Sequence, residues 1–308
     1  MSIAPYLRDI GRGKEGARSL NRAQAADLMG RLLDGQVSDL EKGAFALAMR
    51  IKGETPEELL GFMQAVEPRM LRLVAPGPAV VLPSYNGARK LPNLTPLLAC
   101  LLAQQGVSVL VHGPLQEAGR VTSAQIFIEL GLSPVETAEQ AQAQWRQGQP
   151  VFMPTSVLHP GLQQHLLALR GVLGLRNPGH TLAKLLPAVA NGVRVVNHTH
   201  PEYAVSLAEF LGLSQASALL LRGTEGEPVA DARRLPALKC FVQGHLDEAL
   251  SIEAQGGSLH TLPDLPDGQD ARQTAAYIQA ITRGTLTPPA PIVRQVRCLQ
   301  ALAERTPL

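Results

Sequence analysis

Aromatic side chains make up only 4% of this 308-residue sequence, and tryptophan occurs once. A surface that stacks several nucleic-acid bases needs several exposed rings, so a platform of that kind is disfavoured. Cysteine is scarce as well: Cys100, Cys240 and Cys298 are odd in number, far apart and without metal-ligand or redox spacing. They read as buried or free thiols, which excludes a disulfide framework. Nowhere do apolar residues run to the roughly 18 that a membrane span requires. Residues 1–16 mix Arg8, Asp9, Arg12 and Glu15 where a signal peptide would carry an apolar core. The expectation is a cytoplasmic protein with no membrane partner. An excess of one charge is also missing, since 28 Lys and Arg against 26 Asp and Glu leave a net charge of +2. Charge alone therefore announces no polyanionic partner.

What is plentiful is apolar content, 45% of the residues, enough for one big domain or two unequal ones. The first 75 residues read as helical. Segment 21–34 spaces Ala25, Leu28 and Leu32 along one face and stops at Gly35. Two capping boxes follow, Ser38-Asp39-Leu40-Glu41 and Thr55-Pro56-Glu57-Glu58, the second with proline at the first helical position. The apolar positions Phe45, Leu47, Met49, Ile51, Leu59, Phe62, Met63 and Val66 exceed what three short helices can bury among themselves. Either a second subunit or other helices of the chain must cover them.

After Pro76-Gly77-Pro78 the pattern changes to short β-branched runs between helical stretches. Strands are expected at 79–82, 107–111, 151–153, 193–197, 218–221 and 251–254, and helices at 93–104, 122–130, 137–147, 202–211, 271–282 and 292–303. Such alternation predicts a mostly parallel sheet flanked by helices. Between 159 and 187 the pattern is helical again, at 161–173 and 181–186, broken by Gly174 and Pro178-Gly179. The expected organisation is a helical domain of residues 1–75 completed by 156–190, and an α/β domain of 76–155 and 191–308.

The most informative local feature is Ser84-Tyr85-Asn86-Gly87-Ala88-Arg89-Lys90, which joins the first expected strand to a helix. Loops in that position expose backbone N–H groups to anions. A phosphate cradle usually relies on two or three glycines for close backbone approach, whereas this loop keeps one and adds two cations. Cations rather than backbone would have to hold an anion. His112 ends a strand and fits a structural histidine as well as a ligand-binding one. His198 and His200 alternate at a strand end, as metal ligands can, with no third ligand close in sequence.

Four further segments follow in order: Val111-His112-Gly113; Glu129-Leu130-Gly131; His159-Pro160 followed by Leu169-Arg170-Gly171-Val172-Leu173-Gly174-Leu175-Arg176; and Leu221-Arg222-Gly223-Thr224-Glu225-Gly226-Glu227. In these motifs and in element order, nearly the whole chain resembles the anthranilate phosphoribosyltransferase family. That family belongs to glycosyltransferase family 3 and shares its fold with the pyrimidine nucleoside phosphorylases. The resemblance implies an α/β protein with a helical domain and a larger α/β domain around a central, mostly parallel sheet.

It also exposes departures. The family's Gly-Thr-Gly-Gly-Asp loop, which binds the pyrophosphate of phosphoribosyl pyrophosphate, is replaced by the Tyr85-Asn86-Gly87-Ala88-Arg89 type of loop. The Asp-Glu pair that holds Mg²⁺ is replaced by Glu225-Gly226-Glu227, leaving Glu225 and Glu227 as displaced metal candidates. Asn and Arg after the His-Gly motif have become Pro114 and Leu115. In these respects the chain resembles a nucleic-acid-binding branch of the family, which implies no catalytic residue, no cofactor and a homodimer formed through the N-terminal helices. The implied phosphate or nucleic-acid contacts are Tyr85, Asn86, Gly87, Arg89, Lys90, His112, Arg170, Arg176, Lys184 and Arg222, with single-stranded DNA as the partner. Tyr85 either stacks on a base or packs beside its loop. The alternative implied by the resemblance is a phosphoribosyltransferase acting on anthranilate or another amine or base, with Mg²⁺ and phosphoribosyl pyrophosphate. A third is an inert relative that binds a small phosphorylated ligand.

Overall fold

The computed structural model describes residues 2–13, 15–257 and 262–306. The chain divides into two compact units, one of Met1–Leu71 with Thr155–Leu186, the other of Arg72–Pro154 with Pro187–Leu308.

The first unit is helical because its starts are chemically defined. Helices Arg22–Leu33, Asp39–Lys52 and Pro56–Val66 each open on a reciprocal capping box, Asn21 with Gln24, Ser38 with Glu41 and Thr55 with Glu58. Glu58 is fully buried and also accepts from Leu20 N at 2.9 Å and Lys52 Nζ at 2.6 Å, so its charge is paired inside the unit. Leu28, Met29, Leu32, Phe45, Met49 and Phe62 fill the core, with Phe45 edge-on to Phe62 at 6.1 Å.

The expected continuous helix over 161–173 is corrected to three pieces. Pro160–Leu162 leads into a π-helical turn, Gln163–Leu167, and then Leu169–Leu173, which ends at left-handed Gly174. The carbonyl of Leu166 accepts the Asn177 side-chain amide at 2.8 Å, a tertiary bond with no signature in the local pattern. The next helix is Pro178–Ala183 rather than 181–186. Pro178 reads as a breaker but serves as the first helical residue after the Asn177 cap.

The second unit is built on a seven-stranded sheet: β1 Ala79–Pro83, β2 Ser108–Gly113, β3 Val151–Pro154, β4 Val193–His198, β5 Ala218–Arg222, β6 Leu238–Val242 and β7 His245–Ile252. Their order is β3-β2-β1-β4-β5-β6-β7, parallel from β3 to β5 and antiparallel from β5 to β7. β1 to β3 are entirely buried, as near-continuous apolar strands of a covered parallel sheet must be. Strand β6 lies outside the expected set, and of the strand expected at 251–254 only 251–252 are strand, the end of the longer β7, which starts six residues earlier. Both belong to a hairpin whose turn residues Gln243 and Gly244 have φ of 48° and 84°, the left-handed pair that two-residue hairpin turns require.

Helix Ala290–Arg305 buries Ile292, Val296, Leu299 and Leu302 in the same core as Val80, Val109, Val195 and Leu219. Among the described residues no helix is long and apolar enough to cross a membrane. Because β2 lies on one side of β1 and β4 on the other, the sheet has its switch point between β1 and β4. The crevice at the carboxyl ends of those strands is where such sheets bind ligands.

Candidate anion-binding site

The 84–90 loop leaves β1 at that switch point. Ser84 N donates to His112 O at 2.8 Å, which keeps the chain in register with β2 one residue past the strand. Tyr85 then turns inward. It is 5% exposed, its hydroxyl meets His112 Nδ1 at 2.9 Å, and the two rings stand edge-on at 5.5 Å. Of the two roles open to Tyr85, the structure shows packing. Burial lowers the His112 pKa from 6.5 to about 3, so the ring is neutral, and its Nε2 has no hydrogen-bond partner.

The backbone N–H groups of the loop are not open. Asn86 N and Gly87 N donate to Glu227 Oε1 at 2.7 and 2.8 Å. Arg89 N donates to Glu225 Oε2 at 2.7 Å, and Lys90 N to both oxygens of Glu225 at 3.1 Å. Glu227 is 1% exposed and also accepts from the hydroxyls of Ser84 and Thr95. Gly87 has a φ of 68°, and a Cβ there would stand 2.9 Å from Val121 O, which is why glycine survives at this one position. The Glu225-Gly226 turn is held from both sides: Asn86 Nδ2 donates to Glu225 O at 3.0 Å and Asn197 Nδ2 to Gly226 O at 2.6 Å.

A Mg²⁺ ion does not fit these carboxylates as they stand, because their oxygens are committed to N–H and O–H donors. Among the described residues no cluster of three His, Cys, Asp or Glu is placed to hold a metal, and His198 and His200 gain no third ligand. Sequence reasoning missed the part played by Glu225 and Glu227, along with Asn197, Ser84 and Thr95. The Glu-Gly-Glu spacing was the available signal, and it pointed to cation binding instead of loop capping.

The cations fall on both units. Arg89, Lys90 and Arg222 are exposed on the α/β unit, Arg222 at the carboxyl end of β5. In the helical unit the charges of Arg170, Arg176 and Lys184 all reach His180. Burial lowers the His180 pKa to about 4, and the charges of Arg176, Arg170 and Lys184 add to the effect. Arg233 is engaged by Asp231, with bonds of 2.9 and 2.7 Å.

Known proteins share this architecture. Residues 4–67 match the helical bundle domain of a glycosyl transferase family. The chain is 39% identical to the uncharacterized protein YbiB of Escherichia coli (strain K12), over 97% of this chain and 93% of that one. It is 28% identical to an anthranilate phosphoribosyltransferase of Methylobacterium nodulans, over 98% and 88%. Among solved structures, anthranilate phosphoribosyltransferase (TrpD) from Thermus thermophilus superposes with a TM-score of 0.72 at 21% identity, covering 98% of this chain and 88% of that one. The Saccharomyces cerevisiae enzyme in complex with PRPP and Mg gives a TM-score of 0.64 at 15% identity, covering 98% and 95%. The chain therefore belongs to the anthranilate phosphoribosyltransferase-like family of the glycosyl transferase fold, with glutamates of its own seated in the loop after its first strand.

Proposed function

We propose that this protein binds nucleic acid without regard to sequence, single-stranded DNA in particular, as a homodimer that retains the transferase fold without transfer chemistry. The observation that carries this reading is that the charges of Arg170, Arg176 and Lys184 all act on His180, while the loop amides suited to a compact anion are filled by Glu225 and Glu227. Cations on long side chains attract phosphates over a distance and tolerate any base, whereas a closed backbone cradle excludes a snug pyrophosphate. Arg89, Lys90 and Arg222 add exposed positive charge on the other unit. Inward packing of Tyr85 removes one ring that could have read or stacked a base, which fits sequence indifference. For the dimer, support comes from helix Asp39–Lys52, where Leu40, Leu47 and Ile51 are 84%, 49% and 57% exposed although Phe45 and Met49 point into the core.

The test is fluorescence anisotropy of a labelled single-stranded oligonucleotide at several salt concentrations. Affinity is expected to fall linearly on a log–log plot, by about 0.7 per phosphate neutralised. Replacing Arg176 and Lys184 together by alanine lowers that slope by about 1.4 if each meets one phosphate. A second reading, phosphoribosyl transfer, is favoured by the 28% identity to a named anthranilate phosphoribosyltransferase. It predicts that Mg²⁺ with phosphoribosyl pyrophosphate binds saturably and competes with the oligonucleotide. Absence of oligonucleotide binding at low salt would sink the first reading.

A further inference from the structure

Cys240 and Cys298 lie far apart in sequence and meet in the core of the α/β unit. Cys240 on β6 is 0% exposed and Cys298 on helix Ala290–Arg305 is 5% exposed. Both sulfurs reach the same acceptor, Leu250 O on β7, at 3.5 Å each. The Cys240 S–H also has the Cys298 sulfur as a partner, a hydrogen bond that raises the pKa of Cys240 and lowers that of Cys298. All three cysteines of the chain are free thiols. Cys100 stands apart on helix Thr95–Gln104, and burial pushes its thiol up to about 12. A core position asks only for volume, and two facing thiols add a reactivity that volume does not require.

The strand that supplies Leu250 is a weak edge of the sheet. β7 is last in the strand order, and none of its residues is fully buried. Its ladder with β6 is interrupted beside the cysteine, since Cys240 pairs with Asp247 but Leu238 pairs with Ile252, leaving 248–251 outside the register. There Cys240 N donates to the Ser251 hydroxyl at 3.0 Å, and Ser251 Oγ donates to Asp247 O at 2.7 Å. An edge tied through side chains opens locally at lower free energy than a central ladder, so a small oxidant reaches the pair while the core stays folded.

From this arrangement we infer that Cys240 and Cys298 form a peroxide-sensitive dithiol, oxidised to a disulfide that staples helix Ala290–Arg305 to the sheet. Cys298 attacks as the thiolate, because the Cys240 S–H stabilises its charge. Its sulfur bonds one oxygen of hydrogen peroxide, the O–O bond breaks, and the departing hydroxide takes up a proton to leave as water. The Cys240 sulfur then displaces the hydroxyl of the Cys298 sulfenic acid, and its own proton departs with that hydroxyl as a second water. Two thiols and one peroxide thus give one disulfide and two waters, with each sulfur losing one electron to the peroxide. The bond closes a ring that contains β7 and helix Ala271–Thr282, so it restricts the unfolded chain around the sheet's loosest edge. The device asks nothing of a ligand and stands whether or not the protein binds oligonucleotides.

Treating the folded, reduced full chain with hydrogen peroxide, followed by thiol counting in urea and peptide mass spectrometry, tests it. The count is expected to fall from three to one, with Cys240 and Cys298 joined in one peptide pair and Cys100 still reactive. Dithiothreitol restores all three. The thermal midpoint followed by Trp145 emission rises by at least about 4 °C on oxidation and returns on reduction. Cys240→Ser stops at a Cys298 sulfenic acid that dimedone traps, with no rise in midpoint, and Cys298→Ser leaves its two remaining thiols unreacted. Three thiols that survive peroxide, a disulfide through Cys100 or between chains, or a sulfinic acid in place of the disulfide would overturn the inference. A Cys240–Cys298 disulfide with an unshifted midpoint would overturn the staple. Oxidised and reduced forms are the same chain, so neither result depends on a variant that folds.

Discussion

A histidine sealed away from water has to stay neutral for its surroundings to stay folded, and His112 is in that position. Its pKa in the folded chain is about 3, against 6.5 for the free side chain. The unfolded chain therefore binds the extra proton first, and stability declines as pH falls from about 6.5 toward about 3. His180, at about 4, and His159 and His165, both lowered by burial, act in the same direction. Carboxylates held low, such as Asp34 by Arg69 and Asp27 by the Tyr6 hydroxyl, lose their contribution only as pH falls below their ordinary 3.8. The urea midpoint is thus expected to drop already between about pH 7 and 5, with His112→Gln flattening the slope. The two glutamates of the loop should also part company. Glu227→Ala strips a buried acceptor from two amides and two hydroxyls and is expected to cost more than about 3 kcal/mol in urea unfolding, while Glu225→Ala costs less than half of that.

Among the elements, helix Asp39–Lys52 makes two separable demands. Its Lys52 is paired with fully buried Glu58, and Lys52→Met leaves that carboxylate uncompensated, a loss of about 3–5 kcal/mol by thermal or urea unfolding. Its outward Leu47 and Ile51 bear on assembly instead. Changing both to glutamate leaves unfolding nearly unaltered but converts dimer to monomer in sedimentation equilibrium, if the exposed stripe is the subunit contact. The starts of this helix and its neighbours were legible because Ser38 with Glu41 and Thr55 with Glu58 are contiguous signals that a few residues complete on their own. The β6–β7 hairpin was not, since a Gln-Gly turn needs φ above zero at Gln243 and nothing in its side chain advertises that.

For the whole molecule, the single tryptophan is a useful reporter. Trp145 is 5% exposed and its Nε1 donates to Val109 O at 2.9 Å across to β2, so its emission follows the α/β unit. A red shift of that emission in denaturant is expected to track loss of the seven-stranded sheet, and circular dichroism follows both units. Coincident transitions by the two probes would mean the units unfold together, and separated ones that the units unfold independently. At this scale the near-neutral net charge of +2 proved a poor guide to local charge. An average over the chain hides Arg170, Arg176 and Lys184, whose charges all reach His180 from positions on either side of the turn at Gly174 and the cap at Asn177.

The sequence by itself determined the class of fold, a helical bundle with a mostly parallel α/β sheet. Hydrophobic period, capping boxes and Gly or Pro breaks are local, and burial of an apolar face leaves few ways to assemble them. It also marked the 84–90 loop, since a turn after an apolar strand is a local event. What fills that loop was decided only by tertiary structure. Glu227 lies 141 residues from Asn86 and meets it because β4 sits between β1 and β5, bringing the carboxyl ends of the outer two to a common edge. Whether a carboxylate binds a cation or caps an amide depends on which groups reach it first, and that choice is made by the sheet order, not by the residue type.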